Sequence, residues 1–263
     1  FLKDNFFFRD IKLKNIQVLK MISFLVRDKN WNNYSPLIKN KNLLNNDKHF
    51  TFIFDLEYGD LEKFNTINEF IFGENYITLK SNGKFITDFW TNRIGFNLLI
   101  PLKYHVGSKI KIEKENNITE ESLFPVIISP DQPFYKFSKL SYNINNDLLV
   151  NITFRGINFE MEDQRNWGDA SYKIYSGSLL DPFPYKLIKN SNFFQEIKIS
   201  YTQKKPFSIF KENNLIEIIN DIEFKMPNIG IKINHLNELN ENFRLNFNFV
   251  YYVYDTTDIN IYK

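Results

Sequence analysis

Alternation with period two is the feature that most limits what this chain can become. In Phe50-Thr51-Phe52-Ile53-Phe54-Asp55-Leu56 and Leu245-Asn246-Phe247-Asn248-Phe249-Val250-Tyr251, large apolar side chains recur at every second position. A strand sends successive side chains to opposite faces, so such runs predict half-buried strands. Ile16 to Val26, Gly95 to Ile100, Lys109 to Glu113, Leu148 to Phe154, Gln195 to Tyr201 and Ile229 to Ile233 read the same way, separated by short polar or Pro-containing connectors. Asn82-Gly83, set between the β-prone runs Ile77 to Lys80 and Phe85 to Thr87, predicts a hairpin turn over 81–84. Helical periodicity is weak, and Leu61 to Phe70 and Leu236 to Asn240 are at most short helices. Strands at this spacing predict an all-β fold, a large antiparallel β-sandwich. No linker rich in Gly, Ser or Pro and no internal repeat divides the chain, so residues 1–263 read as a single domain with enough length to bury a core.

Composition removes several functions. The formal charge is only +2, and neither sign forms a run, which argues against nucleic acid as a partner. No apolar run reaches the roughly 18 residues that a membrane helix needs. Cys is absent, which removes disulfides, thiol nucleophiles and cysteine metal sites and fits the cytoplasm. His49, His105 and His235 stand far apart, without the spacing of a zinc site. Ser176-Gly177-Ser178 lacks the flanks of a nucleophile elbow. Neither a metal nor a cofactor is expected.

Chemistry concentrates between Asn158 and Tyr185, in NFEMEDQRNWGDASYKIYSGSLLDPFPY. On an extended backbone Phe159 and Met161 face one way while Glu160 and Glu162 face the other, about 6.5 to 7 Å apart. Carboxylates that close need a cation, a shared proton or water between them. Arg165 and Lys173 are the cations within this segment, and Asp163, Asn166, Trp167 and Asp169 complete a patch of hydrogen-bonding groups beside an aromatic face. Such a patch suits a sugar, whose hydroxyls take carboxylate and amide partners while its C–H face takes an indole. The same residues also read as a structural ion-pair network, with Trp167 and Tyr175 covering the core.

The string FEMEDQRNWGDASYKIY, then Leu179 and Pro182-Phe183-Pro184-Tyr185, resembles the D-apionate lactonase family, in which Thr or Ser is more usual at the place of Gly168. Further segments resemble it in the same order. They are Val26-Arg27-Asp28 with Asn30-Trp31 and Pro36; Asp88-Phe89 with Thr91-Asn92-Arg93-Ile94-Gly95-Phe96 and Pro101-Leu102; and Phe124-Pro125 with Ile128-Ser129-Pro130 and Gln132-Pro133-Phe134. After Tyr201 the resemblance fades. It implies hydrolysis of the sugar lactone D-apionolactone to D-apionate in bacterial apiose catabolism, by longer proteins whose β-rich amino-terminal region leads into a glycoside-hydrolase-like barrel. The chain, which starts at Phe1 and shows no barrel pattern, is therefore expected to be a fragment lacking the complete active site. Its partners would be a sugar lactone or sugar acid and the missing C-terminal barrel.

Lactone opening needs an activated water or nucleophile and a group that stabilises the oxyanion. Within this chain Glu160, Glu162 and Asp163 are the candidate bases. Arg165, Asn166, Trp167, Asp169 and Lys173, together with Asn92 and Arg93, are candidates for substrate contact or for docking the barrel. A second class of function remains open: a non-catalytic carbohydrate-binding sandwich, or a mutarotase-like supersandwich that epimerises sugars and needs His105 or His235 to converge on a carboxylate.

Overall fold

The computed structural model describes residues 2–3, 7–13, 16–114, 118–144, 148–203, 230–233 and 249–252. In chain order the strands are β1 Leu2–Lys3, β2 Phe7–Leu13, β3 Ile16–Arg27, β4 Leu37–Asn46, β5 His49–Tyr58, β6 Phe64–Gly73 and β7 Tyr76–Phe85. They continue with β8 Phe89–Thr91, β9 Arg93–Pro101, β10 Lys109–Lys114, β11 Thr119–Leu123, β12 Phe134–Ile144, β13 Leu148–Arg155 and β14 Phe159–Asp163. The last are β15 Ser171–Ser176, β16 Tyr185–Leu187, β17 Asn192–Gln203, β18 Gly230–Ile233 and β19 Phe249–Tyr252. One 3-10 turn, Gln164–Trp167, joins β14 to β15.

Every pairing in the main sheet is antiparallel, in the order β1-β2-β3-β9-β15-β14-β12-β13-β17-β7-β6-β5-β4, with β10 beside β12 and β11 beside β10. The sheet curls until its two ends face each other. Phe8 of β2 meets the rings of Phe52, Phe70 and Phe72 from β5 and β6 at 5.1, 4.8 and 5.1 Å, and Phe70 meets Phe96 of β9 at 5.7 Å. Between the layers lies one continuous core of Phe, Ile, Leu, Val and Tyr side chains. Edge-to-face ring pairs of this kind add about 0.5–1.5 kcal/mol each beyond simple burial. The all-β antiparallel sandwich is thus the observed fold. The chain forms two compact units, Phe1–Ile209 and Phe210–Lys263, and in the second β18 pairs with β19 in parallel.

Two local expectations are corrected. Asn82-Gly83 makes no turn: β7 runs through it, with Gly83 opposite Thr66 of β6 on one side and Phe193 of β17 on the other. A Cβ at Gly83 would lie 2.6 Å from the Phe64 ring and 2.8 Å from the Asn65 carbonyl, so glycine serves close approach inside a central strand. Leu61 to Phe70 holds no helix; from Phe64 onward it is strand β6. Its alternation is disguised because Thr66 and Asn68 occupy core-facing positions, where the Thr66 hydroxyl bonds Ser81 Oγ at 2.8 Å and Asn68 Oδ1 at 3.1 Å. The expected short helix over Leu236 to Asn240, His235 and most of the strand from Leu245 lie outside the described residues.

Candidate functional site

Strands β3, β9, β15 and β14 are neighbours, and alternation gives their shared sheet two unlike faces. One face carries Phe24, Val26, Phe96, Leu98, Tyr172, Ile174, Phe159 and Met161 into the core. The other carries Leu25 and Arg27 from β3, Arg93, Gly95 and Asn97 from β9, Lys173 and Tyr175 from β15, and Glu162 from β14, which floor a cleft of about 500 Å³. Trp31, Gln164, Trp167 and Leu179 form its rim. Trp31 is presented by a loop that Asp28 ties down: its carboxylate accepts from the Asn30 and Asn32 N–H groups at 2.8 Å and from Asn32 Nδ2 at 2.9 Å. Trp167 ends the 3-10 turn that Asp163 caps. Gly168, at φ 74°, closes that turn with its N–H on the Arg165 carbonyl, a left-handed position that suits glycine.

The register sets the charges. Glu160 stands opposite Tyr175, and Glu162 opposite Lys173. Glu160 is fully buried; its Oε1 accepts from the Tyr175 hydroxyl at 2.5 Å and the Leu179 N–H at 2.8 Å, with Arg93 Nη2 at 3.6 Å. Its Oε2 has no partner among the described residues. The Arg93 guanidinium donates to the Ser176 and Gly177 carbonyls and lies 4.3 Å from the Tyr175 ring centre and 5.5 Å from that of Trp31. Burial, reinforced by Glu160, pushes the Tyr175 hydroxyl far above the ordinary phenol range, so it stays a donor. Lys173 sits 3.3 Å from Glu162 Oε2, whose other oxygen accepts the Trp167 indole N–H at 2.8 Å. Burial pulls the Lys173 ammonium below its usual range; Glu162 opposes this, and Arg27 and Arg93 add to it. The cleft therefore offers three cations, amide groups and indole faces, a set that can hold a hydroxylated, negatively charged molecule.

The sequence profile of the family described as D-apionate lactonase, N-terminal domain, matches residues 2–204. The chain belongs to this family. It is 33% identical over 232 residues to the D-apionate lactonase of Brucella anthropi, a match covering 86% of this chain and 38% of that protein. The chain thus spans well under half the length of its curated relative. Among solved structures, it is similar to a galactose mutarotase-like protein from Lactobacillus casei at 8% identity and TM-score 0.45, covering 72% of this chain and 90% of that one. It is similar also to an α-galactosidase from Geobacillus stearothermophilus at 13% identity and TM-score 0.44, covering 68% and 30%.

Within this lactonase-family domain the residues singled out from sequence separate into groups. Glu162, Trp167, Lys173 and Arg93 line the cleft, with Glu160 held against Arg93 and Tyr175. Asp163 and Arg165 do not line it: Arg165 Nε and Nη2 donate to Asp163 at 2.9 and 2.6 Å, and the guanidinium also donates to the Pro125 and Val126 carbonyls. Asn166 donates to the Ser129 carbonyl at 2.5 Å, and Asp169 pairs with Lys20 and accepts from Ser171 Oγ. Asn92 donates to the Lys29 carbonyl at 3.0 Å and lines a second cavity of about 290 Å³, which shares Arg93 with the cleft. His105 is buried against Phe124 and Tyr142 with Nδ1 on the Pro101 carbonyl; it does not line the cleft. Sequence reasoning missed Arg27, Trp31, Asn97 and Gln164 as cleft residues. Arg27 and Trp31 do stand in a resembling segment, but only the pairing of β3 with β9 brings them to the site.

Proposed function

We propose that this chain is the amino-terminal domain of a cytoplasmic sugar-lactone hydrolase that converts D-apionolactone and water to D-apionate in apiose catabolism. Its cleft would contact the sugar, while a following barrel supplies the remaining catalytic groups. The observation that carries this reading is a cleft with a polar, cation-rich floor and a rim of two indoles, in the domain that the family profile matches. A lactone carbonyl develops negative charge as water attacks, and fixed cations lower the energy of that state. Of the three candidate carboxylates, Glu162 lines the cleft, so it is the one from this chain that fits the role of base.

The test compares this chain with the complete gene product on D-apionolactone. Rapid hydrolysis by the complete protein and little or none by the chain supports the division of labour. Full activity in the chain would place catalysis in the sandwich, and inactivity of the complete protein would end the lactonase reading.

A further inference from the structure

The charges of the cleft do not cancel. Arg93 opposes the buried Glu160, and Lys173 opposes Glu162, whose second oxygen the Trp167 indole occupies. Arg27 has no carboxylate within ion-pair distance among the described residues. Among the described residues its one side-chain hydrogen bond runs from Nη1 to the Trp31 carbonyl at 2.9 Å. A guanidinium carries five N–H donors, so most of those on Arg27 remain free in the cleft beside the Trp31 indole. Glu160 is fully buried and anchored through Oε1 by Tyr175 and Leu179, and its ion pair among the described residues is with Arg93, not Arg27.

A closed sugar lactone is neutral, whereas the acid that its hydrolysis releases carries a carboxylate. Arginine matches a carboxylate with two parallel donors, which neither a ring ester nor a hydroxyl can reproduce. We propose that Arg27, with Lys173 beside it, forms a carboxylate subsite, so that the cleft holds the open-chain sugar acid in preference to the lactone or a neutral polyol. This rests on the sugar-lactone reading above and deepens it: the domain becomes the place where product is retained. Retention would make release of the acid, as well as ring opening, a determinant of turnover.

The experiment titrates the chain with D-apionate, with D-apionolactone and with the corresponding sugar alcohol, following the emission of Trp31 and Trp167 and the heat of binding. Hydrogen bonds to a charged group are strong enough that the acid should bind at least about tenfold more tightly than either neutral ligand. Added salt should erode that advantage. Arg27→Gln should abolish the preference by weakening the acid far more than the alcohol, and Arg27→Lys should retain part of it. Should Arg27→Gln melt far below the parent, Lys173→Met serves in its place with the same expectation. Equal affinity for acid and alcohol, or an Arg27→Gln variant that weakens both alike, overturns the subsite. Hydrolysis of the lactone by the complete protein without acid preference removes this inference alone, whereas acid preference without hydrolysis removes the lactonase reading and leaves the subsite standing.

Discussion

The Tyr175 hydroxyl donates to Glu160 Oε1 across 2.5 Å, between two residues that are direct cross-strand partners in β14 and β15. The bond lies in a buried layer, so its loss has a definite size. Tyr175→Phe leaves a buried carboxylate oxygen short of a donor and should destabilise the fold by about 1–3 kcal/mol. Glu160→Ala, which leaves Arg93 without its counter-charge, should cost about 3–5 kcal/mol. Urea unfolding measures both, and because the residues touch, the double variant should lose less than the sum.

Asp163 and Arg165 make the clearest prediction on acid. Burial acts to raise the Asp163 carboxyl, but hydrogen bonds from Arg165 and from the Ser129 and Arg165 N–H groups outweigh it and hold the group below its ordinary 3.8. A carboxyl depressed in the folded state contributes stability that is complete above its unfolded value and is lost as pH falls through the folded one. Asp163→Asn should therefore melt well below the parent at pH 7. The gap should narrow below about pH 4, as the parent carboxylate takes up its proton. A gap constant from pH 7 to pH 3 would show that the pair adds nothing through its charge.

Gly83 separates a turn from a strand. In an exposed turn an added methyl has little to meet, whereas here it collides with Phe64 and the Asn65 carbonyl. Gly83→Ala should destabilise by about 1–3 kcal/mol, the usual cost of overpacking a filled interior. Thermal melting checks this, and a neutral result would contradict the placement of β7.

Lys173 predicts how recognition of anions varies with alkali. Its ammonium faces Glu162, the Tyr175 ring at 5.1 Å, Arg27 and Arg93, and burial together with the two arginines lowers its pKa from the usual 10.5. Anions prefer the protonated form, so affinity for D-apionate should fall as pH rises through that lowered value, earlier than an exposed lysine would give. In Lys173→Met the fall should vanish. Calorimetric titrations across alkaline pH measure the difference, and an unchanged profile in the variant would exclude Lys173 from the subsite.

The strands were legible where large apolar and polar residues alternate, as in β5, because that signal is local. It failed where buried polar residues took core positions, as with Thr66 and Asn68 in β6, and where Gly83 met the steric needs of a strand but carried the signature of a turn. The site was legible in one hairpin. Parity puts Glu160 and Glu162 on one face, and the same parity assigns Asp163 to the face of Phe159 and Met161, away from the cleft. Arg27, Trp31 and Asn97 were not legible, because they reach Lys173 and Tyr175 only through the pairing of β3 with β9 and of β9 with β15.

The floor of the cleft and the wall of the core are opposite faces of the same four strands, which makes the site an all-or-none property of register. A slip of one residue in β15 would turn Lys173 and Tyr175 inward and bring Tyr172 and Ile174 out, erasing the cleft and the core together. A partly folded or misregistered chain therefore has no weakened version of this surface to offer. Occupancy of the cleft by any small ligand would count correctly paired molecules and no others, so a binding titration on this domain doubles as an assay of how much of a preparation has found its native strand alignment.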